Sequence, residues 1–115
     1  MDIVVGIAAE KPDVNVLRIS GRLDATTCDA AQPVILDTLD KSPAGMIVNM
    51  SSLDFISSAG LRIMVMLMKK ATAEGKQIGL VGIQPQIYKI FKIAALDRVF
   101  RFGEDEGDAI RQLWP

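Results

Sequence analysis

Short runs rich in valine and isoleucine alternate along the chain with segments whose apolar residues recur at helical spacing. Runs of the first kind are typical of β-strands, and apolar residues at positions i, i+3 and i+4 indicate helices that pack on one face. We expect strands at residues 3–9, 14–20, 46–50, 77–82 and 99–102. We expect helices at residues 25–39, from 57–58 to about 74, from 84–85 onward, and at 105–114. The order ββαβαβαβα predicts one α/β domain over residues 1–115, with a mixed, mostly parallel sheet and about four helices.

The start of the first predicted helix has more than one possible position. Asp24, Thr26 and Thr27 precede its apolar residues, and each of these residue types can cap a helix N-terminus. Pro33 lies inside the segment, where a proline removes a backbone hydrogen bond and costs about 3 kcal/mol or more. We therefore expect either a kink at Pro33 or a helix that begins near it.

Charge and histidine content narrow the possible functions. The chain has 13 basic and 14 acidic residues, a formal charge of −1 and no histidine. Acidic and basic residues are mixed along the sequence, which argues against nucleic-acid binding, because nucleic acids select a clustered basic face. The lack of histidine removes Ser-His-Asp and Cys-His catalysis and the commonest metal ligand. We therefore expect a protein that is not an enzyme and that uses no metal or cofactor.

Three features of the sequence favour a cytoplasmic location. The single cysteine, Cys28, has no second cysteine for an internal disulfide and fits a reducing compartment. The first residues include Asp2 and no basic stretch, unlike a secretory signal peptide. The longest uninterrupted apolar run, residues 63–68, is far shorter than the ~20 residues that a transmembrane helix needs. We expect a cytoplasmic protein that does not insert into a membrane.

Residues 53–68 (LDFISSAGLRIMVMLM) contain the step that points most directly to a function. A helix begins here, and Ser57 or Ser58 can accept a hydrogen bond from the unpaired amides of its first turn. One interpretation is therefore that one serine caps the helix. The alternative is phosphorylation, because a phosphate at a helix N-terminus meets free amides and the positive end of the helix dipole. Its charge of about −1.5 to −2 would release a docked partner.

The segment DFISSAGLRIM, preceded by GMIVNMSSL and further upstream by ISGRLDATT, resembles the STAS domain over nearly the whole chain. This family contains the anti-sigma-factor antagonists of bacteria and domains of sulphate transporters. The resemblance implies a partner-switching regulator. An antagonist of this family binds an anti-sigma factor that is itself a serine kinase, and so frees a sigma factor. The kinase, with its own ATP and Mg²⁺, phosphorylates the antagonist and thereby releases it, and a phosphatase resets the cycle.

The resemblance also implies roles for individual residues. Ser58 takes the phosphorylated position, and Asp24 of the Gly-x-Leu-Asp motif lies beside it at the kinase-binding surface. Many phosphorylated members have an acidic residue where this chain has Ser57 and a second hydroxyl residue where it has Ala59, so Ser57 is the second candidate for phosphorylation. The candidate partner-binding residues are Asp24, Ser57, Ser58, Ala59, Gly60, Leu61 and Arg62. Arg62 can pair with a partner carboxylate or with the phosphate.

Two functional hypotheses follow. The first is a cytoplasmic anti-sigma-factor antagonist whose binding to a serine kinase is ended by phosphorylation. The second is an adaptor subunit of a membrane transporter complex, because STAS-like domains also serve in that way. Either function is compatible with a monomer or a homodimer, since STAS domains also form dimers.

Overall fold

The protein is built on a five-stranded sheet in the order β1-β2-β3-β4-β5. A computed structural model describes residues 1–115. The strands are β1 (Asp2–Ala8), β2 (Lys11–Leu23), β3 (Gly45–Ile56), β4 (Gln77–Val81) and β5 (Arg101–Gly103). β1 runs antiparallel to β2, and the other neighbouring strands are parallel. The predicted mixed, mostly parallel sheet is therefore confirmed.

Four helices cover the two faces of the sheet. They are α1 (Cys28–Asp40), α2 (Ser58–Glu74), α3 (Pro85–Ile93) and α4 (Glu106–Leu113), which confirms the order ββαβαβαβα. The larger core lies between the sheet and helices α1, α2 and α3, and the smaller core lies under α4. None of the helices has the length and hydropathy needed to cross a bilayer.

Side chains that alternate along the central strands contribute residues to both hydrophobic cores. Leu17 of β2 and Val48 of β3 are buried in the larger core, whereas Val16 and Ile47, one position earlier in each strand, are buried in the smaller one. Successive side chains of a strand point to opposite faces, so a continuous apolar run fills both sides of the sheet at once.

Two strands extend further than the sequence pattern predicts. β2 continues to Leu23 and β3 to Ile56, and these two residues pair with each other. The prediction that the chain leaves the sheet at Gly21 is wrong. Gly21 has a φ of 88°, and next to it the β2–β3 register shifts by one extra residue in β3. Glycine adopts this left-handed conformation without a steric penalty, so the strand bends there and continues.

The boundaries of α1 and β5 also differ from the predictions. α1 begins at Cys28 and runs through Pro33, so the alternative of a helix that starts near Pro33 is wrong. Burial of Ala31 and Ile35 against the sheet holds the helix together around the proline. β5 begins at Arg101 rather than at residue 99, because the preceding residues form a turn that is closed on the Leu96 carbonyl.

An ion pair fastens α4 to the sheet. Arg18 of β2 donates hydrogen bonds of 2.9 and 2.8 Å to the carboxylate of Glu106, and Asn49 of β3 donates a third of 2.7 Å. Burial by itself raises the pKa of Glu106. The hydrogen bonds from Arg18 and Asn49, together with the charge of Arg18, lower that pKa by more, so it lies below its ordinary value.

Acidification is therefore expected to weaken the attachment of α4. A glutamate whose pKa is lower in the folded state contributes stability that is present above its unfolded pKa of about 4.3 and is lost as the pH falls through the folded value. Glu106→Gln should cost about 1 kcal/mol near neutral pH, because Arg18 is half exposed and solvent screens the pair. Urea unfolding of the wild type and of Glu106→Gln as a function of pH measures the difference in their free energies of unfolding. This difference should shrink in acid. Glu104→Gln, at an exposed position, is the control and should show no such dependence on pH. A difference that is constant with pH would contradict the assignment.

Candidate functional site

Ser57 joins the start of α2 to the end of β2. Its side-chain oxygen accepts a hydrogen bond of 3.2 Å from the amide of Gly60, and its own amide donates one of 2.9 Å to the carbonyl of Leu23. Ser57 is therefore the N-cap of α2. The interpretation that one of the two serines caps this helix is confirmed, and the cap is Ser57 rather than Ser58.

Gly60 lets the first turn of α2 approach the strands closely. A Cβ atom at this position would lie 2.7 Å from Cγ1 of Ile56 and 2.8 Å from the carbonyl oxygen of Leu23. Real Cβ atoms do not come so close to their neighbours, so any larger side chain would push the helix away. The role of Gly60 is thus to set the position of its neighbours in the turn.

The outer side of the same turn is open to solvent. Ser58 is exposed, and its hydroxyl makes no hydrogen bond within the chain. Leu61 and Ala59 are partly buried, and Arg62 is exposed and belongs to no ion pair. Ser58 and Arg62 are four residues apart in α2 and therefore lie on the same face of the helix.

Asp24 lies directly after Leu23, in the turn between β2 and α1. Its carboxylate accepts hydrogen bonds from the amide of Thr26 at 3.0 Å and from the hydroxyl of Thr26 at 2.6 Å, and Arg22 Nε donates a third at 3.3 Å. The bonds from Thr26 are the main reason why the pKa of Asp24 lies below its ordinary value. The site therefore carries an ionised carboxylate at neutral pH.

Asp24 does not cap α1. The N-cap position is taken by Thr27, whose side chain makes no capping hydrogen bond. The Thr27 hydroxyl instead donates to the carbonyl of Arg22 at 2.8 Å and accepts from the amide of Asp24 at 3.0 Å. The two hydroxyl residues that were considered as caps thus stabilise the turn, and this turn holds the carboxylate of Asp24 in place.

Arg22 and Phe55 lie beside Asp24 and were not identified from the sequence. The Arg22 guanidinium lies over the Phe55 ring, 4.3 Å from its centroid, and it also approaches Asp24. A cation over an aromatic face contributes about 0.5–1 kcal/mol at an exposed position. Arg22 occupies the variable position of Gly-x-Leu-Asp, and no local pattern connects it with a phenylalanine more than thirty residues away.

Cys28, the first residue of α1, has a thiol with a raised pKa. Its thiol is buried, and burial is the main cause of its raised pKa. The charges of Asp24 and Asp29 raise this pKa further, and the charge of Arg62 lowers it. Asp24 directly follows Leu23, whose carbonyl accepts a hydrogen bond from the amide of Ser57, so Asp24 and the first turn of α2 are neighbours. We call Asp24 together with residues 57–62 the α2 N-terminal surface.

The protein has no cluster of three or more His, Cys, Asp or Glu side chains that could hold a metal ion. The α2 N-terminal surface presents one carboxylate, one free hydroxyl and one guanidinium that belongs to no ion pair. Such an arrangement can bind a partner and accept a covalent group at Ser58.

Comparison with known proteins gives relatives over most of the chain. The STAS domain family matches residues 7–109. The anti-sigma-F factor antagonist RsfB of Mycobacterium tuberculosis is 25% identical over 109 residues, which cover 95% of this chain and 88% of RsfB.

Solved structures match the fold. An anti-sigma factor antagonist from Mycobacterium paratuberculosis superposes with a TM-score of 0.86 at 24% identity and covers 99% of this chain and 94% of its own. The phosphorylated form of the Bacillus cell fate determinant SpoIIAA superposes with a TM-score of 0.72 at 20% identity and covers 96% of this chain and 98% of its own. Since the family match extends over residues 7–109 of the 115, which include β2 to β5, this chain belongs to the STAS domain family.

Proposed function

We propose that this chain is an anti-sigma-factor antagonist that binds an anti-sigma-factor serine kinase through the α2 N-terminal surface and is released when Ser58 is phosphorylated. The relative RsfB is named as an antagonist of an anti-sigma factor, and it matches this chain over nearly its whole length. The observation that supports Ser58 is the difference between the two neighbouring serines. One hydroxyl is engaged in the fold, and the other is free.

The cap at Ser57 argues against phosphorylation of that residue. Its hydroxyl oxygen accepts a hydrogen bond from Gly60, and the residue is partly buried against the end of β2. A kinase would have to break the cap, whose loss costs about 1 kcal/mol. The Ser58 hydroxyl is exposed and unbonded, so a kinase can reach it without disturbing the helix.

A phosphate on Ser58 would change the surface without unfolding it. The positive end of the α2 dipole and the free amides of the first turn stabilise negative charge at this position. Arg62, four residues further along the same face, can pair with the phosphate, and it is then no longer available to pair with a partner. The added charge of about −1.5 to −2 also lies on a surface that already carries the ionised Asp24. A partner carboxylate that pairs with Arg62 on the unmodified surface would meet the like charge of the phosphate after phosphorylation.

The remaining participants follow from this proposal. ATP and Mg²⁺ belong to the kinase and act on this chain in trans, and a phosphatase restores the free hydroxyl. The exchange takes place in the cytoplasm, where a sigma factor meets RNA polymerase.

Phosphate mapping after incubation with the matched kinase, ATP and Mg²⁺ tests the proposal. We expect one phosphate on Ser58 in the wild type and none in Ser58→Ala. Ser57→Ala should keep the phosphate while the protein loses about 1 kcal/mol of stability with the cap. Ser52→Ala, an exposed serine of β3 whose hydroxyl also makes no hydrogen bond, is the matched control and should be phosphorylated like the wild type.

Two outcomes would contradict the proposal. A phosphate that is lost in Ser57→Ala and kept in Ser58→Ala would move the site into the cap. Failure of the protein to bind or to be modified by any kinase from its own cells, combined with co-purification with transporter subunits, would favour the adaptor hypothesis.

A further inference from the structure

β1 is an edge strand with an exposed apolar surface. It pairs only with β2, so the backbone groups along its other edge have no partner in the sheet. Val4, Val5 and Ile7 are 59%, 46% and 69% exposed. The pairing with β2 is regular from Asp2 to Ile7. Natural edge strands usually carry lysine, proline or a bulge that prevents pairing with another chain, and β1 has none of these before its last residue.

The apolar surface of β1 continues onto α1. Val5 and Val34 line one shallow concavity, and Val34 is 40% exposed. Ile7 lies two residues from Val5 and therefore on the same face of the strand. An unpaired strand edge thus adjoins apolar side chains from two elements.

The polar residues of this concavity include one acidic and one basic side chain. Asp37 and Lys41 of α1 line it, both are exposed, and neither belongs to an ion pair within the chain. A two-fold interface places a patch against the same patch of the second copy. An acidic side chain in the patch therefore needs a basic side chain in that same patch as its partner. A free acid and a free base beside an apolar centre satisfy this condition. We call Val5, Ile7, Val34, Asp37 and Lys41 the β1–α1 patch.

We propose that the β1–α1 patch binds a second copy of this chain, with the two β1 strands paired antiparallel so that the sheet continues across the dimer. With Val5 opposite Val5 of the second copy, Ile7 lies opposite Ile3, and the apolar side chains on the α1 face form one row. Asp37 of each copy is then available to Lys41 of the other. The dimer covers the exposed valines and satisfies the free backbone groups of both edges.

The proposed dimer leaves the α2 N-terminal surface free. Val5 pairs with Leu17, and the site begins after Leu23. Leu17 is the middle residue of β2, and six residues of strand span about 20 Å, so the centre of the patch lies about 20 Å from the end of β2 where the site begins. The dimer therefore leaves the site open to a partner, and the two proposals can fail separately.

The mass of the protein in solution, measured by light scattering or sedimentation from about 1 µM to about 1 mM, tests the dimer. We expect the wild type to reach twice the 12.5 kDa of a single chain. Val5→Lys and Ile7→Lys should each associate at least tenfold more weakly than the wild type, so that they are still monomeric at concentrations at which the wild type is a dimer. Ile93→Lys, which places the same charge at a side chain 87% exposed on α3, is the matched control and should dimerise normally.

Charge reversal supplies a second test that does not alter the strand. Asp37→Lys and Lys41→Asp should each weaken the dimer, and the double variant should recover it, because the two charges meet across the interface. A wild type that is monomeric at all concentrations would overturn the proposal. A dimer that is unaffected by Val5→Lys and Ile7→Lys would also overturn it, since the copies would then associate through another face.

Discussion

Gly60→Val is expected to lower the free energy of unfolding by about 3 kcal/mol. A Cβ atom at Gly60 would lie within 2.8 Å of the Leu23 carbonyl oxygen, and that oxygen accepts the amide hydrogen bond of Ser57. The carbonyl cannot move aside without loss of this bond, so the first turn of α2 would be displaced. Urea unfolding of the variant and the wild type measures the loss of stability.

A matched control separates this crowding from helix propensity. Ala73→Val introduces the same side chain at an exposed position of the same helix, and its cost should stay below about 1 kcal/mol. Gly60→Ala should fall between the two, because alanine favours the helix but still meets Leu23 and Ile56. If Gly60→Val were as stable as Ala73→Val, the close approach of α2 to the strands would not constrain the site.

Ser58→Glu is expected to weaken binding to the anti-sigma-factor kinase about 100-fold, which corresponds to about 2.7 kcal/mol. The substitution places a permanent negative charge at the exposed start of α2, beside the ionised Asp24. A partner carboxylate that pairs with Arg62 would then meet like charge, which costs several kcal/mol at an interface. The helix itself should keep its stability, because an acidic residue in the first turn interacts favourably with the dipole. Titration calorimetry with the purified kinase measures the affinity.

Two variants show whether charge or size causes the loss. Ser58→Gln has nearly the shape of Ser58→Glu without its charge, and it should weaken binding less than about tenfold. Ser52→Glu adds the same charge to an exposed serine of β3 outside the α2 N-terminal surface and should leave the affinity unchanged. Equal losses for Ser58→Glu and Ser58→Gln would mean that steric fit, and not charge, governs release.

The order of strands and helices could be predicted because it depends on local patterns. Valine- and isoleucine-rich runs identified all five strands, and helical spacing identified all four helices. The far ends of β2 and β3 could not be predicted, because Gly21 interrupts the first apolar segment and two polar residues, Ser51 and Ser52, interrupt the second. They extend the sheet only because the two segments pair with each other, and the bend at Gly21 makes this pairing possible.

The sequence predicted where α2 begins but not the role of each hydroxyl at that start. The sequence indicates a capping serine at residues 57–58, yet the choice between them depends on the Leu23 carbonyl, which is distant in sequence. The same holds for Asp24. Local rules made it one of three candidate caps, whereas its contacts with Thr26 and Arg22 form a separate turn. Tertiary contacts decided both assignments.

A phosphate on Ser58 is proposed to control partner binding. The most direct test is the affinity of the kinase for wild-type protein that carries one phosphate on Ser58, compared with the same preparation after phosphatase treatment. We expect the phosphorylated protein to bind about 100-fold more weakly and dephosphorylation to restore the full affinity. Equal affinities for the two forms would contradict the proposal, because the exposed hydroxyl would then have no part in release.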